Sequence, residues 1–126
     1  MTNKNFINYL KTVVDDKDVT FTNSFIDYDK EKTICVYAKS NQAAPKHDAY
    51  SILPLTIIII YTKNADKAQT FTQEIFNRLF HQKPQEIDGI NFFIDIKQLP
   101  ILLGKTDAGF FEYAIEANIY HGKENN

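Results

Sequence analysis

The segment LPLTIIIIY, residues 53–61, decides the fold. Side chains alternate across a β-strand, so the odd-numbered positions of this segment form one continuous apolar face. Ile58 and Ile60 place apolar side chains on the opposite face as well. A strand that is apolar on both faces is usually central in its sheet and is covered on both sides. The segment therefore predicts the central strand of a β-sheet.

Four further strands are predicted from β-rich, alternating segments on either side of it. The last is the clearest, because Glu112, Glu116 and Asn118 form a polar face opposite an apolar one. The polar residues 29–31 predict an exposed hairpin turn between the first two strands. The five predicted strands are residues 19–28, 33–39, 52–62, 90–99 and 110–121.

Two segments, residues 5–16 and 64–81, have the apolar spacing of amphipathic helices. Asn3 or Asn5 is expected to cap the first helix, and Asn64 the second. Five strands make a sheet about 20–24 Å wide. A helix is about 10–12 Å across, so two helices cover one face only. We predict a single α+β domain (1–126), of order α-β-β-β-α-β-β, with a mixed or antiparallel sheet.

The second face of the predicted sheet therefore needs another cover. The polar residues 40–50 predict a long loop, and loops of this length are uncommon unless they are functional. This loop or curvature of the sheet is one possible cover, and a partner subunit is the other. The residues alone leave both open. On the second interpretation the candidate subunit contacts are Ile58, Ile60, Pro45, Lys46, His47, Glu112 and Glu116.

The composition excludes several classes of protein. The net charge is −2 and only Arg78 is an arginine, the usual reader of phosphates and guanine edges, so no sequence-specific nucleic-acid binding is expected. The single cysteine, Cys35, excludes an internal disulfide. The longest apolar run, residues 57–61, is far shorter than the roughly 20 residues of a membrane span. We expect a soluble protein made in the cytoplasm.

No motif predicts catalysis. Residues 104–106 (GKT) resemble the end of a phosphate-binding loop, but Leu99 stands where that pattern needs a glycine. The alternating acids of residues 27–31 lack the turn glycine of a calcium loop, and the histidines lack metal-ligand spacing. Glu112 and Glu116 share a strand face, for which solvation is the default interpretation. We expect no enzymatic activity, no cofactor and no metal.

Three stretches of the chain have a pattern in common with a known family: LPLTIIIIYT (53–62), DKAQTFTQEIFNRLF (66–80) and LPILLGKTDAGFFEYAIEANIYH (99–121). In the third stretch a proline, a glycine and a D-x-G turn lead into an aromatic, alternating final strand. The three stretches resemble the tail-terminator proteins of long-tailed bacteriophages, a group that includes proteins labelled minor capsid proteins in phages of low-GC Gram-positive bacteria. The resemblance covers about residues 33–121.

The resemblance implies a structural α+β subunit of the virion tail or neck, made in the bacterial host cytoplasm. Such subunits assemble as a ring, usually a hexamer, on the head-proximal end of the tail tube. The ring halts polymerisation of the major tail-tube protein and offers a surface to the head connector. The alternatives are another neck or tail completion protein, a small ligand-binding α+β domain, and an enzyme that uses Glu112 and Glu116 as acid and base.

Overall fold

A computed structural model describes residues 1–39, 50–80 and 83–122, which form two helices and one seven-stranded mixed sheet. The α+β class is confirmed, with two strands more than the roughly five predicted. None of the described helices is long and apolar enough to cross a membrane. The elements are α1 (Asn3–Val13), β1 (Thr20–Asn23), β2 (Thr33–Ala38), β3 (Tyr50–Ile60), α2 (Ala65–Leu79), β4 (Gln85–Ile87), β5 (Ile90–Asp95), β6 (Ile101–Lys105) and β7 (Phe111–Gly122).

Strand β3 is central, as its sequence predicts. It pairs antiparallel with β2 on one side and, over eleven residue pairs, with β7 on the other. The strand order is β1-β2-β3-β7-β5-β4, and β6 also pairs with β7. Strands β5 and β6 lie end to end along the same edge of β7, because β5 pairs with its carboxyl-terminal half and β6 with its amino-terminal half.

Both helices pack on one face of the sheet, which we call the first face. The odd-numbered side chains of β3 and β7 point to this face and form the larger core cluster with the two helices. The helices supply aromatic and branched side chains at the three- and four-residue spacing that the sequence predicts. Fully or nearly fully buried members include Phe6, Leu10, Ile57, Ile59, Ile75, Leu79 and Ile115.

The opposite, second face has its own smaller cluster. Ile58 and Ile60 are only 3% and 1% exposed. Phe110 belongs to the same cluster, and Ile26 and Ala108 pack against it. Cover from within the chain therefore accounts for the burial of both isoleucines. The predicted loop is not part of this account, because its positions 40–49 lie outside the described residues.

Strands β1 and β2 are parallel, so the predicted hairpin between them is wrong. Parallel neighbours need a return connection, which here is residues 24–32, the β1–β2 connector. Ser24 turns the chain with φ of 69°. The connector then passes the second face, where Ile26 packs on the cluster that contains Cys35. Ile26, one of the apolar residues that predict an extension of β1, instead covers part of this face.

The helix caps agree only in part with the prediction. Asn64 caps α2 by accepting from the Lys67 N–H at 3.0 Å. Helix α1 is capped by Thr2, and not by Asn3 or Asn5. The Thr2 hydroxyl accepts from the Asn5 N–H, and the Asn5 side chain accepts from the Thr2 N–H at 2.9 Å. This reciprocal capping box uses asparagine where glutamate or glutamine is commoner, which conceals it in the sequence.

The sequence does not predict β4 or β6. Asp88 and Gly89 have φ of 52° and 77°, the two positive values of a primed two-residue hairpin loop, and β4 is the first arm of that hairpin. Strand β6 follows Pro100 and contains Gly104, both of which predict a loop. It nevertheless pairs with β7, through an irregularity between Leu102 and Gly104. A bulge of this kind accommodates a residue that breaks the regular ladder.

Candidate assembly interface

Four apolar side chains in and beside β6 are exposed to solvent, and we call them the β6 strip. Leu99 is 68% exposed, Ile101 41%, Leu102 53% and Leu103 51%. Among the described helices and strands, β6 has substantial contacts with β7 alone, which leaves these side chains uncovered by another element. Exposed apolar side chains grouped along one strand of a globular domain commonly mark a contact with another protein.

The backbone of β6 adds a second reason to expect a contact. Strand β7 occupies one edge of β6, and within residues 1–39, 50–80 and 83–122 no strand pairs with the other edge. Strand β4, which borders β5, ends before it reaches β6. An edge strand with unpaired N–H and C=O groups is a ready template for a strand from another chain.

The β6 strip extends over both faces of the sheet. Ile101 lies opposite Ala114, a member of the second-face cluster. Leu102 lies opposite Tyr113, which packs against the first-face core. A strand added at this edge would therefore have apolar side chains to pack against on both of its faces.

The far edge of the sheet carries a second exposed apolar group on the β1–β2 connector. Phe25 is 61% exposed and Tyr28 48%. The connector is anchored beside β1, since the Thr22 hydroxyl donates to the Phe25 carbonyl at 2.7 Å. Burial, followed by the nearby Glu112 carboxylate, raises the pKa of Tyr28. Two of the three open edges of the described sheet, those at β6 and at β1, thus present exposed apolar side chains, and β4 forms the third edge.

The two glutamates of the polar face lie in different surroundings. Glu116 forms an ion pair with Lys39 and accepts from the Thr56 hydroxyl at 3.1 Å. Burial raises the pKa of Glu112. The step of four residues along the strand places their α-carbons about 13 Å apart. The arrangement does not favour an acid–base pair.

The predicted contact residues are scattered by the fold. Ile58 and Ile60 lie inside the described chain and contribute no surface, whereas Glu112 and Glu116 are partly exposed on the second face. Residues 45–47, which include Pro45, Lys46 and His47, lie outside the described residues. The assignment of these residues to a subunit interface stays a prediction. The β6 strip is not identified from the sequence. The apolar run of residues 101–103 after Pro100 is the signal that could have indicated it.

Cavities at the surface give little support to a ligand-binding function. One of about 310 Å³ lies against the first turns of α2 and is lined by Tyr61, Asp66, Lys67, Thr70, Phe71 and Glu74. This volume is at the small end of ligand sites, about 300–1,000 Å³, and three of the six lining residues are charged. In the part of the chain that the structure describes, no three His, Cys, Asp or Glu side chains are grouped to hold a metal.

Comparison with known proteins gives one match. The family model described as "Bacteriophage tail terminator protein" matches residues 6–120. The matched region contains α2, strands β1 to β6, the β6 strip and nearly all of α1 and β7. No curated protein and no solved structure gives a significant match.

Proposed function

The chain belongs to the bacteriophage tail terminator family, and from that premise we propose that it caps the head-proximal end of the tail tube and joins the tube to the head. Families of this kind are structural, so the chain is a virion component and its function is exercised through contacts with other proteins. Its proposed partners are further copies of itself in a ring of about six, the major tail-tube protein and the head connector.

The observation that carries this proposal, beside the family match, is the β6 strip on an open sheet edge. A ring is built from heterologous contacts that close on themselves, so every subunit needs two unlike surfaces. The β6 strip and the connector edge supply two such surfaces at opposite ends of one sheet. These two unlike surfaces support the proposal of a ring.

The charge of the chain also suits a ring through which DNA passes. The net charge is −2, with 14 basic and 16 acidic residues. A strongly basic surface would bind the DNA backbone and slow its passage, because lysine and arginine side chains that neutralise phosphates release bound counterions and so bind DNA tightly. A slightly acidic subunit avoids this attraction.

The proposal is tested by polymerising the major tail-tube protein in the presence of increasing amounts of this chain. Electron microscopy should show a fall in mean tube length, with ring-shaped density on one end of each tube. The variant Ile59→Asp, which buries a charge in the core, serves as an unfolded control and should leave tube length unchanged. Tubes of unchanged length without end-bound density in the presence of the wild-type chain would contradict the proposal.

A further inference from the structure

Two of the three open edges of the described sheet, those at β6 and at β1, are complementary to each other. We infer that β6 of one copy pairs with β1 and the β1–β2 connector of the next copy, head to tail. The inference rests on the proposed ring and names the surfaces that close it. The occupant of the β6 edge is thus a second copy of this chain. Three independent features of the described residues support this pairing: strand direction, the faces of the apolar side chains, and charge.

Strand direction permits a regular antiparallel contact. Strands β6 and β7, β7 and β3, and β3 and β2 are antiparallel pairs, whereas β2 and β1 are parallel. Strand β6 therefore runs opposite to β1. A second copy that continues the sheet in the same orientation presents β1 antiparallel to β6, which is the more stable ladder. The lengths also agree, since β1 has four residues and β6 has five.

The exposed apolar side chains would meet on matching faces of such a continuous sheet. Ile101 lies on the second face, along which the connector of the next copy runs, with Phe25 and Tyr28 exposed to solvent. Leu102 lies on the first face, where Phe21 of β1 packs against the helical core. Each side of the added strand would bury apolar surface that is exposed in the single chain, and burial of such surface stabilises association.

The two surfaces also carry opposite charge. Residues 96–105 contain Lys97 and Lys105 and no acid, a net charge of +2. The β1–β2 connector, residues 24–32, contains three acids and two lysines, a net charge of −1. Lys97 lies 3.8 Å from Asp95 of its own chain but is 80% exposed. Pairing of β6 with β6 would place like charges together and would give a closed dimer, not a ring.

Cross-linking between two single-cysteine variants tests whether a second copy of the chain occupies the β6 edge. In a Cys35→Ala background, Ile101→Cys and Phe25→Cys are prepared separately and mixed with tail-tube subunits and a short bis-maleimide. We expect cross-linked dimers only when both variants are present. The double variant should give a ladder that ends at the ring size. Cross-links of Ile101→Cys to itself or to the tube protein, or rings without cross-links in the mixture, would overturn the inference.

A substitution in the strip separates this inference from the proposed function. Leu102→Asp, 53% exposed, should fold normally and need about thirtyfold more protein to shorten tubes, as for a central interface residue. Phe80→Asp, 51% exposed on another part of the surface, is the matched control and should act as wild type. If wild type and Leu102→Asp shorten tubes equally, the pairing is wrong and the proposed function stands. If wild type leaves tubes unchanged, the proposed function fails and the pairing with it.

Discussion

At the scale of single residues, Tyr61 joins three parts of the chain. Its hydroxyl donates to Asp16 Oδ2 at 2.7 Å, and Lys32 Nζ lies 3.1 Å from the same oxygen. Its ring stacks on Phe71 of α2 at 3.8 Å between centroids. Burial, and then the hydrogen bond to Asp16, raise the pKa of Tyr61 to about 12. That hydrogen bond is also the main cause of the lowered pKa of Asp16.

Tyr61→Phe should keep the ring stack and lose the hydrogen bond to Asp16. We expect a loss of about 1–2 kcal/mol in the free energy of unfolding at pH 7. Because the folded pKa of Tyr61 lies above its ordinary 10.0, its contribution is complete below pH 10 and is lost as the pH rises through about 12. Urea unfolding of the wild type and of Tyr61→Phe between pH 7 and 11.5 measures the difference between their free energies of unfolding. This difference should narrow above pH 10. A difference that stays constant over this range would exclude the assigned role.

Asp16 accepts the same hydrogen bond, and its pKa shifts in the opposite direction, so its contribution to stability depends on pH in the opposite sense. The folded pKa of Asp16 lies below its ordinary 3.8, so its stabilisation is complete above that value and is lost as the pH falls through the lowered pKa. Asp16→Asn should therefore destabilise the chain at pH 7 and have a smaller effect at pH 2. A double-mutant cycle with Tyr61→Phe gives the coupling energy of the pair, and a cycle that closes to zero would show that the bond contributes nothing.

The substitution Ile58→Asp tests whether the second face at Ile58 is buried core or accessible surface. From the sequence it is expected to impair assembly more than folding. Since Ile58 is buried within the described chain, we now expect it to abolish cooperative folding by burying an unpaired charge. Phe25→Asp, on the connector that covers this face, is the matched exposed control and should melt like wild type. A cooperative melt of Ile58→Asp near the wild-type temperature would show that Ile58 is accessible.

At the scale of elements, the β4–β5 hairpin holds helix α1 in place. The side-chain amides of Asn5 and Asn8 both donate to Asp88 Oδ2 at 3.0 Å, which lowers the pKa of that carboxyl. Asp88 and Gly89 form the hairpin loop with positive φ. The hairpin therefore links the amino-terminal helix to the outer strands of the sheet, although the two are about eighty residues apart in the chain.

Gly89→Ala should destabilise the chain by about 1 kcal/mol for a purely conformational reason. A Cβ at this position would meet nothing within 4 Å, but φ is +77°, which side chains rarely adopt. Gly122→Ala is the control, because it also has open space and has no positive φ. Thermal denaturation of both variants measures the difference. Equal melting temperatures for the two would show that the turn tolerates a Cβ.

Long periodic elements could be predicted from the sequence, and short ones could not. Both helices, β3 and β7 follow from spacing that persists over many residues. Strand β6 is concealed because Pro100 and Gly104 are typical of loops, while its pairing depends on β7, a distant segment. The parallel order of β1 and β2 is concealed because a nine-residue connector resembles a hairpin loop. The β6 strip is exposed because no other described helix or strand packs on it, and the apolar periodicity of a segment does not show which elements pack on it.

At the scale of the whole molecule, the sheet has two faces that are at least partly covered and edges that are open. The two helices cover the first face, and the connector and the turn before β7 cover part of the second. The edges at β1 and at β6 have no strand partner among residues 1–39, 50–80 and 83–122. The faces are thus stabilised from within the chain, and the edges at β1 and β6 are the surfaces on which the proposed ring depends.

Removal of the chain from the phage that encodes it tests the central claim most directly. A stop codon early in its gene, with and without wild-type protein supplied in trans, is followed by electron microscopy of the particles. We expect tubes of abnormal length that carry no heads, and tails of uniform length joined to heads when the protein is supplied. Tails of normal length joined to heads in the absence of the protein would contradict the account.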